Sequence, residues 1–174
     1  AEPPTFDCHA TTTLATIHPV APAYNGLLKF RGDVNKKLEP VGDLAKSWTV
    51  SADGLTYTFK LHSGVKFHDG TPLTSADVKA SYERIFKPPQ GVISLRATYY
   101  ADFAGVEAPD AETVVFKTKG PVAGVMGLLA SPFNCIYSAA KLAQNPKYPE
   151  TEVMGSGPFQ YVEYVRGSSW TAKR

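Results

Sequence analysis

The chain has 174 residues, a length that suits one domain or two small ones and allows a substantial buried core. Its 18 Lys and Arg and 16 Asp and Glu give a formal net charge of +2 and are scattered along the sequence, which excludes the concentrated basic face of a nucleic-acid binder. The composition, 43% hydrophobic, is that of a globular chain, and the most apolar stretch, residues 122–136, is too short and too interrupted to span a membrane.

The first half of the chain is predicted to contain short strands. Residues 48–50 lead into a turn signal at 51–54, and residues 55–61 return with apolar side chains at every second position. This alternation is typical of a half-buried strand, so the two segments are predicted to form a hairpin. Another short strand is predicted at residues 65–67, before a turn at 69–72.

Two helices are predicted from their first residues. Thr74, with Asp77 three positions later, is close to a capping box and predicts a helix that ends before Pro88. Pro121 suits the first turn of a short apolar helix through Leu129, because proline lacks an N–H that would be unpaired there.

The remaining elements are predicted from turn residues and caps. Residues 105–108 and 113–117 are predicted as a second hairpin, and Ser138 is predicted to cap a helix over residues 139–144. A final segment, residues 170–173, has the pattern of a strand.

The Gly-Ser-Gly-Pro sequence at residues 155–158 precedes a predicted strand, residues 159–165. It therefore offers no helix N-terminus to a phosphate. We expect a sharp turn that lets the backbone run close to another segment.

Sequence motifs of catalysis are missing. The sequence has no G-x-S-x-G, P-loop, H-E-x-x-H or G-x-G-x-x-G motif. His68 beside Asp69 could orient a nucleophile, but without a nucleophile turn the pair is better explained as turn residues. Cys8 beside His9 could be a reactive pair or half a metal site, although adjacent side chains rarely point at one atom. We predict no enzyme, no metal site and no cofactor.

The two cysteines, Cys8 and Cys135, are too far apart in sequence for a zinc cluster or a redox C-x-x-C pair. In an oxidising compartment they could form one disulfide that encloses most of the chain. The alternative is two free, buried thiols, and the sequence leaves both open.

One set of motifs resembles a known family. LAKSW at residues 44–48, DGLTYTFKL at 53–61 and GVKFHDGTPLT at 64–74 resemble the extracellular solute-binding proteins, family 5, of ABC importers, which include oligopeptide, dipeptide and nickel binders. Shorter motifs agree with this resemblance, namely FDCH at 6–9, YNGLL at 24–28 and GSGPF at 155–159. Cys8 departs from the proline that the family has in the first of these motifs.

The resemblance implies an α+β (mixed α/β) chain that forms the N-terminal part of a type II periplasmic-binding-protein fold, lobe one only. Residues 31–154 would form the smaller α+β subdomain of that lobe, and residues 1–30 and 155–174 would be edge pieces of the main lobe's sheet. Such proteins close two lobes around a ligand. We therefore expect a fragment that binds weakly or not at all by itself, exposes apolar surface, and leaves its strand at 170–173 unpaired or paired to another copy.

The resemblance also implies a function. The parent protein would capture a small solute, a peptide or similar, in the periplasm or outside a bacterial cell and deliver it to ABC permease subunits. The implied ligand contacts are the loop of Thr12, Thr13 and Leu14 and the aromatic pair Tyr99 and Tyr100. Two alternatives remain: a self-contained secreted β-rich interaction module, which predicts a complete sheet, and a secreted hydrolase domain, which requires a nucleophile turn.

Overall fold

The structure, a computed structural model, describes residues 2–32 and 37–174. Its strands, in chain order, are β1 (Leu28–Arg31), β2 (Glu39–Gly42), β3 (Ala45–Val50), β4 (Thr56–Leu61), β5 (Phe103–Asp110), β6 (Thr113–Thr118), β7 (Gln160–Val165) and β8 (Ser169–Lys173). Its α-helices are α1 (Leu14–Val20), α2 (Ser75–Phe86), α3 (Val125–Leu129) and α4 (Ala139–Gln144). The strands form a four-stranded antiparallel sheet in the order β3-β4-β6-β5 and two antiparallel pairs, β1-β2 and β7-β8. The mixed α/β class is confirmed.

The hairpin of β3 and β4 confirms the predicted alternation. Tyr57, Phe59 and Leu61 are buried on one face of β4, while Lys60 between them is exposed. Trp48 of β3 lies opposite Phe59 in the ladder. The period of two in the sequence therefore places one face of the strand in the core.

Helix α2 covers the four-stranded sheet. It begins with the predicted capping box, in which the Thr74 amide donates to the Asp77 carboxylate at 2.8 Å. The ring of Tyr82 meets Phe116 of β6 edge-on, with centroids 4.8 Å apart, and the Phe86 and Phe103 rings lie 5.4 Å apart. Aromatic packing of this kind holds the helix on the sheet.

Two predicted elements are wrong. Residues 65–67 form no strand: Lys66 makes an isolated bridge to Pro72, because the tight turn returns the chain on itself before a ladder can develop. The helix predicted from Pro121 begins only at Val125, because Gly124 is left-handed, with φ at +78°, and a right-handed helix cannot run through it.

The expectation that the last strand would be unpaired or paired to another copy is also wrong. Strand β8 pairs with β7, and Trp170 lies opposite Tyr164 in the register. A short turn joins the two strands, and the Tyr161 and Trp170 rings, 4.7 Å apart, pack together. Strand β8 is therefore paired within the chain along the edge that faces β7. Strand β7 and the residue before it leave three apolar side chains exposed, Phe159, Val162 and Val165.

Buried apolar residues form two clusters. The larger lies between the four-stranded sheet and α2 and also takes in Leu27, Leu28 and Met154. The smaller surrounds Cys8 and Cys135. The predicted division at residues 30/31 and 154/155 stays a prediction. No helix in residues 2–32 or 37–174 has the length and apolar character needed to cross a membrane.

Candidate functional site

A buried ionic network fixes the N-terminal loop against α2. Arg84 donates from Nη2 to Oδ2 of Asp7 at 2.6 Å and from Nη1 to Oδ1 at 3.1 Å, and both side chains are almost fully buried. The same carboxylate accepts the His9 amide at 2.9 Å and the Tyr137 hydroxyl at 3.0 Å. Burial alone would raise the pKa of Asp7, but His9, which is charged only in the acid range where Asp7 titrates, and the bonds from Arg84 hold it below its usual value.

His9 belongs to this network as a neutral ring. Its Nδ1 lies 3.1 Å from Nη1 of Arg84, which can only donate, and its Nε2 donates to the Cys135 carbonyl at 3.0 Å. Burial, assisted by the charge of Arg84, lowers the pKa of His9 to about 4, against the pull of Asp7. At neutral pH the imidazole is therefore uncharged, and both of its ring nitrogens are occupied by hydrogen bonds to Arg84 and Cys135.

A disulfide joins Cys8 and Cys135, whose Cα atoms are 6.1 Å apart. It ties the N-terminal loop to the segment after α3. The Leu95 amide donates to the His9 carbonyl at 3.2 Å, which brings a third segment to the same place. The N-terminal loop, the segment at Leu95 and the segment after α3 are thus held in contact, although they are distant in sequence.

Between these loops lies a concavity of ≈ 350 Å³, which we call the Arg96 concavity. Its lining residues are Thr12, Arg96, Tyr99, Tyr100, Gly127, Leu128, Ser131 and Phe133. A volume near the lower end of the range for small-molecule sites, lined by aromatic rings and a few polar groups, suits a compact ligand.

The structure brings three of the five sequence-predicted contact residues together here. Thr12 and Tyr99 are exposed at the Arg96 concavity, Tyr99 by 63% of its surface. Tyr100 is buried, and its hydroxyl donates to the Leu128 carbonyl at 2.9 Å and accepts from Asn134 Nδ2 at 2.8 Å. Tyr100 therefore supplies a fixed wall, whereas Tyr99 and Thr12 are accessible.

The other two predicted contact residues lie at the start of α1. Thr13 is the N-cap residue of that helix, and its hydroxyl lies 3.1 Å from the hydroxyl of Thr11. Leu14 is the first residue of the helix and is 62% exposed. Neither is among the residues that line the Arg96 concavity.

Sequence reasoning missed Arg96. Its guanidinium stacks on the Phe133 ring, with Cζ 3.8 Å from the centroid, and its Nε is buried without a hydrogen-bond partner. Burial lowers the pKa of Arg96, opposed by Tyr100 and Tyr99. A single arginine outside every predicted strand and helix carries no periodic or motif signal, so only the tertiary arrangement distinguishes it.

The pair His68 and Asp69 is a turn and not a catalytic pair. The Asp69 carboxylate accepts the amide and the hydroxyl of Thr71 at 3.0 Å and 2.6 Å. The ring of His68 donates from Nε2 to the Gly157 carbonyl at 2.9 Å. Within residues 2–32 and 37–174 no group of three or more His, Cys, Asp or Glu side chains is placed to hold a metal ion.

The glycine turn at 155–158 runs against the segment before β1. A Cβ on Gly155 would lie 2.1 Å from the Ala23 carbonyl oxygen, and one on Gly157 would lie 2.5 Å from that of Pro22. The Gly157 amide donates to the Ala23 carbonyl at 3.0 Å. The predicted close backbone approach is confirmed, and it is possible only without side chains.

The comparisons with known proteins agree with the family resemblance of the sequence motifs at residues 44–74. Residues 39–174 match the family model described as bacterial extracellular solute-binding proteins, family 5 Middle. The chain belongs to this family. The family is one of solute-binding transport proteins and not of enzymes.

The curated relatives of this chain are much longer than the chain itself. The glutathione-binding protein GsiB of Escherichia coli O1:K1 / APEC is 39% identical over 137 residues, which are 79% of this chain and 26% of that protein. A putative ABC transporter peptide-binding protein of Brucella ovis is 40% identical over 131 residues, 72% of this chain and 24% of that protein. The chain thus spans about a quarter of the length of these relatives.

Solved structures of periplasmic binding proteins match the whole chain. AgaA from A. tumefaciens R10, in complex with agropinic acid, is 34% identical with a TM-score of 0.86, over 100% of this chain and 34% of that one. DppA from Helicobacter pylori, in complex with the peptide STSA, is 27% identical with a TM-score of 0.81, over 99% of this chain and 37% of that one. The fold is therefore that of about one third of a periplasmic binding protein.

Proposed function

We propose that this chain is part of a bacterial solute-binding protein that captures a small solute, a peptide or a similar molecule, outside the cytoplasmic membrane and delivers it to ABC permease subunits. The observation that carries the proposal is the family match over residues 39–174, with the whole chain superposing on a binding protein in complex with agropinic acid. A role in binding rather than catalysis is consistent with the hydrogen bonds that occupy both ring nitrogens of His9 and with the turn role of His68 and Asp69.

Within this proposal the Arg96 concavity is the part of the ligand site that this chain contributes. Tyr99 would cover the solute with a ring that loses little conformational entropy on binding, and Thr12 would orient it by a hydroxyl hydrogen bond. Tyr100 would hold the wall behind them. Residues 31–154 would be the smaller subdomain of lobe one, and the terminal segments would be edge pieces of the main lobe's sheet.

The test is a ligand titration of the full translation product that contains this chain. Its mass is first compared by denaturing mass spectrometry with the 18.8 kDa of these residues. Glutathione, the tetrapeptide STSA and agropinic acid are then titrated by isothermal calorimetry. Glutathione gives one relative its name, and the other two are the ligands bound in similar solved structures. We expect saturable binding of at least one of them, and failure of all three together with no ligand in native mass spectra would contradict the proposal.

Matched variants locate the site. Tyr99→Ala is expected to weaken binding, whereas Ile93→Ala, which removes a side chain of nearly equal exposure outside the Arg96 concavity, is expected to leave it unchanged. Thr12→Val and Thr13→Val form a second pair, since the two threonines are neighbours and only Thr12 lines the Arg96 concavity. Equal effects within both pairs would place the solute elsewhere.

A further inference from the structure

Two buried arginines in the structure have opposite surroundings. Arg84 is 3% exposed and donates to both carboxylate oxygens of Asp7 and, from Nε, to the Pro146 carbonyl at 3.0 Å. Arg96 is 6% exposed, yet its Nε has no hydrogen-bond partner. The ion pairs found among residues 2–32 and 37–174 do not include it.

The protein compensates the charge of Arg96 only in part. The Phe133 ring beneath the guanidinium supplies a cation–π contact, which is weaker than a hydrogen-bonded counter-ion. A buried charge without a counter-ion is costly. Since Arg96 lines an open concavity, a molecule bound there can supply the counter-ion that the protein does not.

The lining of the Arg96 concavity limits the charge of that molecule. Of the described residues that line the concavity, only Arg96 is charged. A phosphate dianion at this place would leave about one negative charge uncompensated, whereas a carboxylate balances a single guanidinium and matches its planar donors. The hydroxyls of Thr12 and Ser131 line the same concavity and can donate to carboxylate oxygens.

We infer that Arg96 determines the solute class: its guanidinium binds a carboxylate of the solute, so that the ligand is a small organic acid or a short peptide held by a carboxylate. This inference rests on the function proposed above, because it assigns a ligand group to the same concavity. The ring of Tyr99 lies over the less polar part of the solute next to that carboxylate.

The first test observes Arg96 directly in the full translation product labelled with ¹⁵N-arginine. The Nε–H resonance of Arg96 is assigned by its loss in Arg96→Lys, and acetate is titrated against acetamide, sodium chloride and inorganic phosphate at equal ionic strength. We expect a saturable shift with acetate alone. The Nε–H of Arg84, already bonded to a carbonyl, is the internal control and stays in place.

Three results of this titration would overturn the inference. They are the absence of a shift with acetate, an equal shift with chloride, and a shift that occurs at lower concentration with phosphate than with acetate. The acetate test does not depend on knowing the natural solute, so it decides between a carboxylate subsite and none even if the proposed function fails.

The second test uses whichever of glutathione, STSA or agropinic acid binds. Arg96→Met is expected to weaken it about 10- to 100-fold, as for the loss of a hydrogen-bonded charge. Arg31→Met, which removes an exposed arginine outside the Arg96 concavity, is expected to leave affinity unchanged. A full-length binder whose affinity is unaffected by Arg96→Met would retain the proposed function and refute this inference.

The solute's chemistry and the folding of the variant are checked in the same series. Replacing the probe's carboxylates one at a time by amides identifies the carboxylate that Arg96 binds. Loss of that carboxylate lowers the affinity for the wild type and leaves the affinity for Arg96→Met unchanged. The melting temperature of Arg96→Met is expected to equal or exceed that of the wild type, because the substitution removes a buried charge that has no counter-ion in the protein. If the amide-substituted probes lose the same affinity for the wild type as for Arg96→Met, the inference is contradicted.

Discussion

Arg84 and Asp7, 77 positions apart in the sequence, form a two-point ion pair in which Nη2 and Oδ2 are 2.6 Å apart and both side chains are nearly inaccessible to solvent. The pair joins helix α2 to the loop that carries Cys8 and His9. It therefore anchors the loop that leads to Thr12, one of the residues that line the Arg96 concavity.

Breaking this pair is expected to destabilise the fold strongly. Arg84→Met leaves the Asp7 carboxylate buried without its cation, which should cost about 3 to 5 kcal/mol in the free energy of unfolding. The double variant Arg84→Met with Asp7→Asn should lose less, because no buried charge remains. Urea unfolding followed by circular dichroism measures both.

The control for that series is Lys79→Met. Lys79 pairs with Glu83 on the exposed face of the same helix, so its loss should cost no more than about 0.5 kcal/mol. Equal losses for Arg84→Met and Lys79→Met would show that the buried pair stabilises the fold no more than the exposed pair does.

Stability is expected to fall between pH 6.5 and pH 4 because of His9. Its pKa in the fold is about 4 against an ordinary value of 6.5, so the unfolded chain binds more protons in this window. The loss is on the order of 3 kcal/mol and is complete only below the folded pKa. The depressed pKa of Asp7 adds a further loss at still lower pH, where its carboxylate becomes protonated.

His9→Gln tests this assignment. Glutamine can accept from Arg84 and donate to the Cys135 carbonyl but does not titrate. Thermal unfolding measured at half-unit pH steps should show a flatter profile for the variant between pH 6.5 and pH 4. A profile parallel to that of the wild type would assign the pH dependence to other groups.

Removing the disulfide is expected to lower stability without changing the fold. The bond closes a loop with a sequence separation of 127, for which the chain-entropy model gives about 4 to 5 kcal/mol. The variant Cys8→Ala with Cys135→Ala is compared with the wild type by urea unfolding, each with and without a phosphine reductant. Reductant should shift only the wild type, and a shift of similar size in the variant would contradict the assignment.

The close approach at Gly155 predicts a large effect for one methyl group. Gly155→Ala would place its Cβ 2.1 Å from the Ala23 carbonyl oxygen, so backbone must move at a cost of about 2 kcal/mol or more. Gly105→Ala in β5, where a Cβ meets nothing within 4 Å, should change stability by no more than about 0.5 kcal/mol. Equal stability of the two variants would refute the steric argument.

The sequence predicted most local structure correctly because its signals were local. The alternation in residues 56–61, the capping box of Thr74 and Asp77 and the Ser138 cap each depend on residues a few positions apart. The failures occurred where another part of the chain or a backbone angle decided the outcome. The start of α3 depended on the left-handed Gly124. The error at β8 had another source: its partner β7 is the preceding strand across a short turn, and the expectation of an unpaired strand came from the interpretation of the chain as a fragment.

By itself the sequence determined the class of fold, the family and the close-packed glycine turn, because residue spacing and ordered motifs can be recognised without knowing which residues are in contact. It also drew attention to Thr12, Tyr99 and Tyr100, which three-dimensional folding brings to one concavity. Only the tertiary structure decided which charges are paired. Arg84 and Arg96 are the same residue type in the same chain, and burial beside Asp7 or beside Phe133 gives them different chemistry.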